Sequence, residues 1–237
     1  MTEARQLALE LPHSPALSAA DFVIGDTNAA AAAMIERYPA WPNRVALLVG
    51  PTGSGKTHLA AVWRERSGAS LVRGDALGTA DLPALVLSGA VAVEDIDAAA
   101  VDETALFHLL NLVRETGGFA LLTSRVAASD LAFGLPDLRS RLRAAFPVLL
   151  AEPDDALLAK IVVKLFADRQ LPVDAGLVAF LARRMERSFD FAARLVAALD
   201  AESLATGRPL TRALATRVLA GLAGAGADEP PPDEDDA

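Results

Sequence analysis

The residues with the clearest chemistry are Gly50-Pro51-Thr52-Gly53-Ser54-Gly55-Lys56-Thr57. They fit the pattern G-x-x-x-x-G-K-[ST], in which each residue type has a task. Gly50, Gly53 and Gly55 let backbone N–H groups turn inward and approach phosphate oxygens closely. A helix that starts at such a loop points its positive end at the same anion. Lys56 brings a point charge to the β- and γ-phosphates, and the Thr57 hydroxyl is a ligand for Mg²⁺. The loop therefore predicts binding of ATP or ADP with Mg²⁺, and His58, the next residue, is counted with the nucleotide contacts.

A second set of residues is the acidic stretch 91–97, which supplies Glu94, Asp95 and Asp97. An acid at a strand end beside a phosphate loop organises Mg²⁺ through water, and a second acid orients an attacking water. An Asp usually comes first; here the order is Glu94–Asp95. Glutamate is one methylene longer, so the expectation is Glu94 on the metal through water, Asp95 as second acid, nucleotide binding retained and hydrolysis slow. Asp97 equally suits a plain strand end. Thr123 or Ser124, in the stretch 121–125, stands where a hydroxyl reaches water near the γ-phosphate, with Thr123 taken as the catalytic candidate; both types are also ordinary turn residues.

Positioning these groups requires strands ending in them. Residues 44–50, 69–74, 90–95 and 119–124 are short apolar runs, as buried parallel strands should be, and 147–153 reads as a short edge strand. Helical periods lie between them. Residues 26–38 are alanine-rich with Asp26 or Thr27 as cap; a helix follows the loop to about Arg66; residues 81–89 read as a short helix closed by Gly89. In 101–118, Leu106, Leu109, Leu110 and Val113 share a face, and Pro136 opens a helix over 136–146. Trp63 reads as core, and Arg64 and Arg66 as solvated. From Asp154 to about Leu219 only helical periods remain. The expected fold is α/β: a parallel-sheet phosphate-loop domain over 21–152, then a small all-helical lid over 153–221. Residues 1–20 and 222–237 flank these as an N-terminal segment and an acidic tail of disordered composition.

Composition narrows the function classes. Of 237 residues, 52% are hydrophobic, ample for a core, yet no apolar run approaches the ~20 residues of a membrane span. No basic region precedes an apolar stretch at the N-terminus, so no secretory leader is read and a cytoplasmic location is expected. Cysteine is absent and the three histidines are scattered, which removes disulfides and thiolate metal sites. Net charge is −9, and without the six acids of the tail the balance is −3. No strongly basic face for duplex DNA is evident.

Taken in order, the loop, the acidic strand end, the polar strand end and the helical lid resemble the AAA+ ATPases. Residues 22–31, with Val23, Gly25 and Asn28 at the matching places, resemble the adenine-side segment of DnaA-type initiators. Residues 135–146 resemble their motif around an arginine finger, which places Arg141 as the finger. Near the chain start, Gln6, Leu9 and Leu11 are similar to the short peptide that docks on the DNA polymerase sliding clamp. Such a peptide buries apolar anchors while the glutamine amide fixes register.

The combination resembles Hda-type regulators of the DnaA initiator, and the resemblance covers about Asp21 to Leu219. It implies clamp-dependent stimulation of ATP hydrolysis in the initiator, with weak hydrolysis by the chain itself, in a replisome-associated protein with no sequence-specific DNA binding. Where the resemblance places an arginine on the phosphates, at the start of the third lid helix, this sequence has Asp190. Arg194, one turn later, is the preferred contact, with Arg187 preceding it. The rival reading is a helicase-loader or transposition-type accessory ATPase that binds single-stranded DNA. That reading calls for a basic groove with stacking aromatics, and aromatics are only 5% here.

Overall fold

The computed structural model describes residues 18–207 and 209–225. Gln6, Leu9, Leu11 and the acidic tail lie outside the described residues. The chain forms two compact units, one ending at Leu157 and the other starting at Leu158.

The first unit is built on a five-stranded parallel sheet: β1 (Val45–Val49), β2 (Ser70–Arg73), β3 (Ala90–Glu94), β4 (Phe119–Ser124) and β5 (Phe146–Leu149). The spatial order is β2-β3-β4-β1-β5. β4 thus lies between β1 and β3, so the loop after β1 and the acids after β3 flank the end of β4. The register sets Val49 beside Ser124 and Arg73 beside Glu94.

Side chains alternate across the sheet with the period of two that strands impose. Leu47, Val91, Val93 and Leu122 face a core completed by α4 (Glu103–Glu115) and α5 (Pro136–Ala144). Ala46, Leu48, Ala90, Ala92 and Leu121 face α1 (Ala29–Glu36) and α2 (Lys56–Ser67). The alanines on this second face make room for bulk, and Trp63 from α2 fills it with no exposed surface.

Helix ends follow from local chemistry. The short α3 (Leu82–Leu85) is capped by Asp81, which accepts from the Ala84 amide, and α4 by Asp102, which accepts from the Ala105 amide at 2.9 Å. α2 closes on Gly68 at φ +70°, the left-handed conformation glycine adopts at little steric cost. One expectation fails. Neither Asp26 nor Thr27 caps α1, which begins only at Ala29 after Asn28. The Asn28 side chain bonds backwards instead, accepting from the Gly25 amide and donating to the Val23 carbonyl. Asp26 and Thr27 are spent on that turn.

The second unit is helical: α6 (Asp155–Asp168), α7 (Ala175–Ala182), α8 (Phe189–Thr206) and α9 (Arg212–Ala225). Asp174 caps α7 through the Leu177 amide, and Ser188 caps α8 through that of Phe191. Phe166, Leu181, Leu195 and Leu199 form its buried interior. Among the described residues no helix is long and apolar enough to cross a membrane.

Candidate functional site

β1 ends at Val49 and the chain turns at once into the loop. Gly50 is the tightest position: a Cβ there would lie 2.5 Å from the Leu150 carbonyl oxygen and 2.8 Å from Ser54 Oγ. Only glycine fits. Gly53 and Gly55 have φ of +74° and +93°, and Gly55 caps the start of α2. The first amides of any helix lack acceptors within it, and a helix starting at this loop points its positive end toward an anion placed there.

Lys56 is almost wholly buried, and its ammonium donates to the carbonyls of Gly50 and Pro51 at 2.7 and 2.9 Å. The side chain therefore folds back across the loop it belongs to. Ser54 Oγ is buried without a hydrogen-bond partner. An orphaned hydroxyl, positive-φ glycines and an inward ammonium together fit a phosphate group.

The acids divide sharply in surroundings. Glu94, at the end of β3, is 9% exposed. Burial pushes its carboxyl above the usual range and Asp95 adds to the rise. A hydrogen bond with Thr57 and the charges of Arg64 and Arg73 pull the other way. Glu94 thus meets Thr57, the hydroxyl expected from the sequence to ligate Mg²⁺. Asp95 has φ +55°, a region that favours glycine. Its amide donates to Thr123 Oγ1 at 2.9 Å, and Arg73 approaches its carboxylate at 3.9 Å. Thr123 is 1% exposed, so its hydroxyl holds the acidic turn in shape. Ser124 Oγ is bonded to the Val126 carbonyl.

Asp97 is tied elsewhere. Burial pushes its carboxyl up, but the bonds from Arg125, at 2.6 Å from Nε and 3.2 Å from the backbone amide, hold it below the usual range.

Residues 22–28 form a hydrogen-bonded turn. Val23 and Gly25 are joined by the buried Asn28, while His58 Nε2 lies 3.0 Å from the Ser18 carbonyl and its ring meets Phe22 edge-on. His58 therefore anchors the incoming chain on α2. Arg141 sits apart, on α5, which packs on the sheet face opposite α2. Its guanidinium lies 5.0 Å from the Phe107 ring centroid of α4. Glu103 steadies the same corner by accepting the amides of Gly134 and Leu135, both at 2.8 Å. Arg194 belongs to the helical unit, where it stacks on Phe191.

Sequence reasoning missed Arg73, Phe107 and Arg125, and it misjudged Arg64. That arginine is half-buried with Nε unpartnered, and its charge acts on Glu94, so it is not a plainly solvated side chain. The signal available for Arg73 was its place at the end of β2, in register with Glu94.

No family model matches the chain, and no curated protein does. Solved structures do. The chain is similar to domain III of the Thermotoga maritima replication initiation protein DnaA, at 17% identity and TM-score 0.71, over 88% of this chain and 97% of that one. The chain has an AAA+ fold. AMPPCP-bound DnaA from Aquifex aeolicus is similar at 15% identity and TM-score 0.66, over 78% of this chain and 65% of that one. The Thermotoga maritima RuvB Holliday junction branch migration motor is similar at 18% identity and TM-score 0.64, over 86% and 72%. At these identities the likeness is one of fold. The chain spans nearly all of one isolated DnaA domain but about two thirds of the Aquifex chain.

Proposed function

We propose that the chain binds ATP or ADP with Mg²⁺ and acts as an Hda-type regulator that stimulates ATP hydrolysis in a DnaA initiator. The observation that carries the nucleotide reading is the meeting of Thr57 with Glu94 under a loop that admits only glycine at position 50. Among the described residues no cluster of three His, Asp or Glu side chains holds a metal by itself. Mg²⁺ suits such a site, since it takes one or two protein ligands and completes its shell with phosphates and waters. Bound there, the ion supplies charge neutralisation at the phosphates. Gly50 to Thr57 hold the phosphates, and Val23, Asn28 and His58 line the base side.

Hydrolysis by this chain is slow in the proposal, because Asp95 is turned by its left-handed backbone and drawn toward Arg73. The stimulating group is Arg141. A guanidinium resting on an aromatic ring is desolvated on one face and pre-oriented, which suits a finger supplied in trans. The likeness to DnaA domain III supports pairing with an initiator, because a chain of the same fold can take one copy's place in a head-to-tail contact. Gln6, Leu9 and Leu11 tether the protein to the sliding clamp, and the 21–152 and 153–221 regions work as base and lid.

The test is a reconstituted assay of an ATP-loaded initiator, clamp on DNA and this protein. Arg141→Ala is expected to abolish stimulation, since fingers of this kind contribute about 10³- to 10⁵-fold in rate. Stimulation equal to wild type removes the finger. Replacing Gln6, Leu9 and Leu11 with alanine is expected to remove clamp dependence; unchanged clamp binding removes the tether.

A further inference from the structure

The overall charge hides a division. Between residues 158 and 225 the sequence has ten Lys and Arg against six Asp and Glu, so the helical unit is net positive in a chain of net charge −9. Part of that charge is organised around one ring. Phe180, half-buried on α7, has the Arg184 guanidinium 4.2 Å from its centroid and that of Arg212, from the start of α9, at 6.0 Å. Gly176 and Phe180 share one face of α7 by their spacing of four, and Arg184, in the turn that follows the helix, folds back over the Phe180 ring. α7 makes room for Arg212: a Cβ at Gly176 would lie 2.9 Å from its Nη2. Arg183, Arg184 and Arg212 are all exposed. Guanidinium groups ordered on an aromatic present fixed forks of donors, the geometry that carboxylates and phosphates accept.

We infer that this face of the helical unit receives the acidic C-terminal segment, residues 228–236, as an intramolecular ligand. Three observations select that occupant. The segment contains six acids and no base. Its reach is sufficient: α9 has 14 residues, about 21 Å at 1.5 Å per residue. From Ala225 to Asp233 an extended chain covers about 26–29 Å. Acids 233–236 therefore return to Arg212. A short tether also gives the segment an effective concentration of order millimolar, which free anions must exceed to compete. The ring favours carboxylates over a nucleobase, because Arg184 and Arg212 already lie against it. The consequence is a self-shielded basic face, opened by any partner that binds the tail. The inference is independent of the nucleotide reading.

The sequence has no cysteine, so a designed pair reports cleanly. Ala237→Cys keeps all six acids, and Ala179→Cys places a thiol on exposed α7 beside Phe180; Ala197→Cys on α8 is the reference. In the 237-residue chain the 179–237 disulfide is expected to form about tenfold faster than 197–237. About 1 M salt, where the Debye length is near 3 Å, brings the rates together, as does the pair Arg184→Ala and Arg212→Ala. Equal rates at low salt overturn the inference, and so does a preference indifferent to both arginines. A cross-link found only between two chains assigns the face to a second copy and also overturns it. A last arm uses a labelled single-stranded oligonucleotide on the full chain and on a chain ending at Ala225. Stronger binding by the shortened chain supports shielding by the tail; equal tight binding assigns the face to nucleic acid and rejects the tail.

Discussion

The two ends of the same parallel sheet are built on opposite rules. At the carboxyl ends of the strands stand the glycine loop, the unpartnered Ser54 hydroxyl, Asp95 at φ +55° and the buried Glu94. At the amino ends stands an aromatic cluster. Trp41 stacks on Trp63 with centroids 5.3 Å apart, Tyr38 meets both and Phe119 edge-on, and Arg44 lies over Phe119 while donating to the Gly117 carbonyl. One end carries backbone strain at Asp95 and an orphaned hydroxyl at Ser54; the other carries buried area, and its own unpartnered group is the Trp63 indole Nε1. The difference teaches where stability is generated and where it is spent. Residues in sparsely populated conformations persist only when their surroundings over-determine them. Here Gly74 packs on the Asp95 carbonyl, Thr123 holds its amide and Arg73 approaches its carboxylate.

The largest expected effect breaks the aromatic end. Trp63→Ala empties a fully buried site and is expected to cost about 3–5 kcal/mol, read from urea midpoints. Nucleotide affinity per folded molecule should be unchanged. A matched loss of affinity would show that the two ends are not separable. Because the indole Nε1 has no hydrogen-bond partner, Trp63→Phe should recover much of the loss.

Next comes the loop end. Lys56→Ala removes an ammonium held by two carbonyls. Removal of a buried, hydrogen-bonded charge from an interface costs about 2–5 kcal/mol, so nucleotide affinity should fall ~30-fold or more. Titration with a fluorescent nucleotide measures it, and an unchanged unfolding midpoint keeps the effect at the loop. Retained affinity would reject the proposed site.

The strands, the helices between them and the parallel class of the sheet were legible in the chain because strands and helices have different periods; the order of the strands was not. Val91 and Val93 alternate with Ala90 and Ala92, and the alternation is the two-sided core. The loop was legible because its chemistry is contiguous. What local reading missed is non-local. Arg73 reaches the acids through the β2–β3 register, Arg125 reaches Asp97 across 28 residues, and Arg141 finds Phe107 through the packing of α5 beside α4. The start of α1 was misplaced for the converse reason: Asn28 bonds backward to Val23 and Gly25, which propensity alone does not reveal.

The smallest effects sharpen the comparison most, because two acids in one turn should respond to pH with opposite signs. Burial raises the folded-state pKa of Glu94, so its ionised form costs stability at neutral pH. Glu94→Gln should therefore raise Tm at pH 7, by about 2–4 °C per kcal/mol relieved in a chain of this size. The gain should shrink as pH falls through the raised folded value toward the unfolded one near 4.3. Nucleotide binding with Mg²⁺ should weaken in the same variant, which separates function from stability.

Asp97 behaves the other way. Arg125 outweighs burial and lowers its pKa, so the pair contributes stability above the unfolded value near 3.9. That contribution is lost as pH falls through the depressed folded value. Arg125 is 56% exposed, which limits the pair to about 0.2–1 kcal/mol. Asp97→Asn should lower the urea midpoint at pH 7 and match wild type once the solution is acidic enough to protonate the folded carboxyl. A variant whose deficit persisted unchanged at that pH would owe it to packing, and the division of labour between the buried Glu94 and its ion-paired neighbour Asp97 would fail.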